Sequence, residues 1–142
     1  MLDDDDLIIV RGGRMASDSL RRALLASADS GVFELSTQYL PDSDQKAQDQ
    51  VWDYWLQRYN STCWTTPSLL RESGLTPLHT PSEEHGPFHV DIRHPANPGE
   101  VDVDMVVSDF QCAFFGPDQK RKVTHEWTSA DLRGLQQPRE EG

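Results

Sequence analysis

Leu7-Ile8-Ile9-Val10-Arg11-Gly12-Gly13 decides how this chain begins to fold. Four consecutive apolar residues predict a strand that needs cover on both faces. The paired glycines behind it permit a positive φ or a close approach of another group to the backbone. Ser17 to Asp29 follows as a helix, with Leu20, Leu24 and Ala28 every fourth residue, Ala23 and Leu25 alongside, Ser17 as cap and Gly31 as stop. Val32 to Gln38 alternates and predicts a second strand beside the first. The chain thus opens as a β-α-β unit with Arg11 at a strand end, where α/β proteins often place functional groups.

Beyond Pro41 the sequence predicts a helix from about Asp44 to Tyr59, capped by Asp42 or Ser43. Ala47, Val51, Trp55 and Tyr59 share one stripe, widened by Trp52 and Leu56; such a stripe belongs to a core more often than to a groove. Thr66-Pro67 through Gly74 carries a cap, a proline at the first helical position and a stopping glycine, so a short helix is expected. Leu75–His79 and Phe88–Arg93 read as two strands that pair as a hairpin. Residues 99–115 alternate at first, but Val103, Val106, Phe110 and Ala113/Phe114 fit helical spacing over a longer window, so helix is preferred. Lys120–Trp127 reads as a last strand, Thr128–Asp131 as a capped turn, and residues 136–142 as a disordered tail. Together these give one α/β (α+β) domain over residues 1–135, with a small sheet of four to five strands, approximately ferredoxin-like with inserted helices at 42–73.

The 142 residues carry a net charge of −11, and residues 1–116 hold 19 acidic against 8 basic side chains. A field of that sign disfavours nucleic acid and steers towards a basic partner protein. No apolar run is long enough to span a bilayer, and the acidic start is unlike a secretory leader, so a cytoplasmic bacterial protein is expected. Cys63 and Cys112 fit no disulfide or CxxC pattern and read as buried small hydrophobes.

Val10-Arg-Gly-Gly13, Gly31 to Ser36, Leu70 to Thr80, Phe88-His89 to Pro95, and Phe115-Gly116-Pro117 together resemble a group of small uncharacterised actinobacterial proteins. The resemblance spans most of residues 7–117 and implies a shared fold unit but no activity. The Trp-rich segment 42–64 and the strand expected after Pro117 depart from it.

Three constellations offer chemistry. Arg11, Ser36-Thr37 and Glu100-Val101-Asp102 follow the order of the arginine, Ser-Thr and E-x-E elements of ADP-ribosyltransferases. That resemblance implies NAD phosphates on Arg11, support of the nicotinamide ribose by Ser36 and Thr37, and a carboxylate from Glu100 or Asp102 stabilising oxocarbenium character. The plain alternative is an arginine capping strand carbonyls. His79, His85, His89 and His94, with Glu83, Glu84 and Asp91, could supply zinc ligands, but strand alternation separates them and no metal is expected. Asp102, Asp104 and Asp109, with the exposed margin of Trp52, Tyr54 and Trp55, could dock a basic protein. Docking is the preferred expectation: a non-catalytic, cofactor-free interaction module of the immunity, antitoxin or accessory kind, with a flat acidic face. The alternative is a small NAD-using enzyme centred on Arg11.

Overall fold

The computed structural model describes residues 2–5, 7–41 and 44–119. The strands Ile8–Gly12 (β1), Glu34–Leu40 (β2), Ser61–Thr65 (β3), Thr76–His79 (β4), His89–Arg93 (β5) and Phe115–Gln119 (β6) form one sheet of order β4-β5-β2-β1-β3-β6. Every pairing is antiparallel. The expectation of four to five strands is therefore corrected to six. β1 and β2 are direct neighbours, paired from Ile8↔Leu40 to Val10↔Gln38, whereas a split β-α-β unit inserts a strand between them. The hairpin of β4 and β5 is as expected, from Thr76↔Arg93 to His79↔Val90. The strand and turn expected in 120–131 and the tail at 136–142 lie outside the described residues.

β1 is covered on both faces, as its apolar run requires. Ile9 faces the larger core, with Leu35, Val90 and Ile92 from the sheet and Leu20, Leu24, Leu70, Val106 and Phe110 from helices. These helices are Ser17–Ala28 (α1), Pro67–Glu72 (α3) and Val103–Ala113 (α4). Val10 faces the other way, against Val51 and Leu56, which follow the short helix Gln45–Gln50 (α2). Among the described residues the two faces thus carry different loads: three helices pack on one, and the segment after α2 packs on the other.

Local chemistry explains most boundaries. Thr66 caps α3 by accepting from Leu69 N at 3.3 Å, with Pro67 at the first helical position. α1 has no side-chain cap and begins after Ala16; Ser17 Oγ instead accepts from Gln111 Nε2 at 3.1 Å, tying α1 to α4. Leu25 is exposed, since it lies one residue, or about 100°, around the helix from buried Leu24. α4 is helical as expected, and Asp102 caps it by accepting from Asp104 N at 2.9 Å.

The expected helix over 44–59 is interrupted. Asp44 caps α2 through Ala47 N at 3.1 Å, and Val51–Trp55 then forms a π-helical turn closed by Leu56 N donating to Val51 O at 3.0 Å. β3 follows at once and was not anticipated. Its Thr, Cys and Trp residues suit a strand, and Thr65 Oγ1 donates to Ala113 O at 2.7 Å, satisfying a carbonyl at the end of α4. Cys63 is buried in β3 as expected, but Cys112 is exposed.

Candidate functional site

The π-helical turn and the residues after it stand off from the sheet and leave a cavity of about 530 Å³ between them and β1 and β2. That is a volume ordinary for a small-molecule site. Arg11, Ser36 and Gln38 come from the sheet, Trp55 and Arg58 from the opposite wall, and His89 from β5. No hollow was expected of an acidic docking surface; the structure has one.

Two glycines let the walls come together. A Cβ on Gly12 would stand 2.0 Å from the Tyr59 ring, and one on Gly86 would stand 2.4 Å from the Trp55 ring. The sequence signal behind β1 is therefore realised twice, as close approach at Gly12 and as a φ of 95° at Gly13. Gly12→Ala is expected to push Tyr59 outwards at a cost of about 1–3 kcal/mol. Urea denaturation gives that loss, and increased Tyr or Trp quenching reports the displaced wall.

Arg11 extends one donor, Nη1, to Ser36 O at 2.8 Å. This is the strand-carbonyl contact of the plain reading, and it uses one of five guanidinium N–H groups. Among the described residues no carboxylate lies within ion-pair reach of Arg11. Burial pushes its pKa down, and neighbouring Arg58 pushes the same way. Arg58 lies over the Tyr59 ring at 5.0 Å and donates to Tyr59 Oη at 2.8 Å, again without a carboxylate among the described residues.

Of the three residue types the enzymatic reading required, Arg11, Ser36 and Thr37 do line the cavity. Thr37 is committed to the fold, since its buried Oγ1 donates to Val90 O at 2.7 Å. Glu100 and Asp102 are not there. They sit before and at the cap of α4, which packs on the opposite face of the sheet. The carboxylates near the cavity are Glu84, exposed at its mouth, and Asp91, which accepts from Ser36 Oγ at 3.4 Å. Asp91 was legible only as a possible metal ligand; its cross-strand register with Ser36 required the β2–β5 pairing.

The docking candidates are also engaged. Asp104 pairs with Arg21 at 3.3 Å, Asp109 with His94 at 2.8 Å, and Asp102 is the cap. Trp52, Tyr54 and Trp55 are partly buried rather than presented, because the π-helical turn rotates them towards the sheet and cavity. The histidines disperse. His79 contacts Pro87 O at 2.9 Å, His94 lies beside α4, and His85 stacks on His89 at 4.5 Å. No group of three potential metal ligands assembles among the described residues.

His89 is the residue that sequence reasoning undervalued. Its Nδ1 lies 2.9 Å from Thr80 Oγ1, which can donate or accept, and 3.1 Å from Thr80 O, which only accepts; the pair favours the tautomer with the proton on Nδ1 and the lone pair on Nε2. Burial lowers its pKa, outweighing Asp91, which raises it, with His85 and His79 lowering it further. A histidine depressed in the folded state keeps its full contribution above the unfolded value near 6.5. Stability is then lost as pH falls from there through the folded value. Unfolding at stepped pH should show this decline, and His89→Gln should flatten it.

The chain matches no family model, no curated protein and no solved structure.

Proposed function

We propose that this protein binds a small anionic molecule in the cavity beside Arg11. The carrying observation is the half-buried Arg11 guanidinium at the cavity, without a carboxylate partner among the described residues, in a chain of net charge −11. Carboxylates outnumber cations here, so pairing would be the easy outcome for a half-buried positive charge. An anionic ligand supplies the missing charge, and a phosphate or carboxylate matches the planar fork of donors. Arg58 adds a second positive charge from the opposite wall of the same cavity. The aromatic rings of Tyr54, Trp55 and Tyr59 give the cavity a flat apolar component.

Calorimetric titration with ribose 5-phosphate tests this reading. Saturable binding that weakens with salt supports it; absence of heat and of thermal stabilisation at millimolar ligand opposes it. NAD cleavage is a further step that the reading does not need. A carboxylate would have to act beside the bound ribose, and Glu100 and Asp102 cannot, which leaves Asp91 or Glu84 for that role.

Docking of a basic protein is the second reading, favoured by the concentration of acidic side chains in residues 1–116. It predicts that charge reversal at Asp102 and Asp104 abolishes partner capture. Because Asp102 caps α4 and Asp104 pairs with Arg21, the same change should also lower stability by about 1 kcal/mol, mainly through the lost cap. Thermal denaturation measured beside capture separates the two effects.

A further inference from the structure

Buried polar atoms that lack a hydrogen-bond partner are concentrated at one place. Five such side-chain atoms occur among the described residues, and Gln38 Oε1, His89 Nε2 and Trp55 Nε1 belong to residues lining the Arg11 cavity. Gln38 and His89 are 8% and 3% exposed, so these groups are nine-tenths buried or more. An unpaired polar atom in such surroundings is costly, and its retention points to a partner that arrives from outside.

The hydrogen-bonding sense of each atom is fixed by its other contacts. Gln38 Nε2 donates to His85 O at 3.0 Å, which orients the amide and leaves Oε1 as the acceptor. His89 Nδ1 meets both Thr80 Oγ1 at 2.9 Å and Thr80 O at 3.1 Å; an Nδ1–H serves both, whereas a bare Nδ1 would face the carbonyl lone pairs, so the favoured tautomer leaves Nε2 as an acceptor. Trp55 Nε1 is a donor only. Gln38 and His89 are register partners across β2 and β5, so their two acceptors come from adjacent positions on neighbouring strands. The Asp91 carboxylate, 3.8 Å from His89 Nε2, reinforces the negative potential there.

We propose that the cavity selects a phosphorylated ligand whose ring carries two adjacent N–H donors, read by Gln38 and His89, with a neighbouring ring acceptor for Trp55. The imino and amino groups of a guanine edge, with its carbonyl oxygen, have this pattern; adenine and uracil do not. The assignment rests on the anion-binding reading, with the phosphate on Arg11 and Arg58. A ring of this size together with a phosphate suits a cavity of about 530 Å³.

The test compares GMP, IMP, AMP and ribose 5-phosphate on the wild-type chain by calorimetry, so it does not depend on the folding of any variant. GMP should bind about tenfold more tightly than IMP, which lacks the second donor, and more tightly still than ribose 5-phosphate. Gln38→Leu, checked for folding by circular dichroism, should erase the GMP–IMP difference. Equal affinity for GMP, IMP and ribose 5-phosphate, or preference for AMP, would overturn the ring assignment while preserving the anion site. Failure of all four to bind would overturn both.

Discussion

Phe110→Ala is expected to destabilise the fold by about 3–5 kcal/mol. Phe110 is fully buried on α4, in the core that joins α1 and α4 to the sheet face carrying Ile9, Leu35 and Ile92. Truncation removes a ring's apolar area and leaves a void that backbone pairing on one side and two helices on the other prevent from closing. Because the cavity lies on the other face, the folded fraction should retain its ligand affinity. Urea denaturation with a ligand titration below the transition checks both halves of that statement.

Arg11→Met should produce the opposite pattern. Removal of the guanidinium is expected to weaken anion binding by about 100-fold or more, since charge-assisted hydrogen bonds each contribute roughly 1.5–3 kcal/mol. Stability should hold or rise slightly, because the substitution removes a half-buried cation without a carboxylate partner among the described residues and keeps much of the side-chain length. Loss of the Nη1 contact to Ser36 O costs little at a site that solvent can reach. Affinity and melting temperature, measured on one preparation, should therefore move in different directions. A purely structural Arg11 would lower the melting temperature instead.

Much of the fold was legible because its signals are local. The run Leu7–Val10, the Thr66-Pro67 start of α3 and the stripe Val106–Phe110 each carry their meaning within a few residues. What escaped depended on partners. Ser61–Thr65 is too short and too mixed to declare itself beside an aromatic helix, and becomes β3 by pairing with β1. The switch from α-helical to π-helical backbone at Val51 leaves Trp55 and Tyr59 in register with a core stripe on paper, yet turns them onto the cavity.

The candidate site was half legible for the same reason. Arg11 and Ser36 could be named from strand ends, and they do meet. The acidic partner was sought in Glu100 and Asp102, where sequence order suggested it. The sheet instead brings Asp91 to Ser36 and His89 to Gln38 across 55 and 51 positions, contacts that only the β2–β5 register creates. Asp102, Asp104 and Asp109 looked like a free acidic face, yet each meets a cation, an imidazole or a backbone N–H.

Nuclear magnetic resonance of the arginine Nε–Hε groups during addition of ribose 5-phosphate reports on Arg11 itself. The account predicts that the Arg11 signal, assigned by its loss in Arg11→Met, shifts saturably and sharpens, with Arg58 following and Arg21 and Arg71 unmoved. An Arg11 signal that stays in place while the ligand reaches millimolar concentration, or that moves no more than those of the surface arginines, would contradict it.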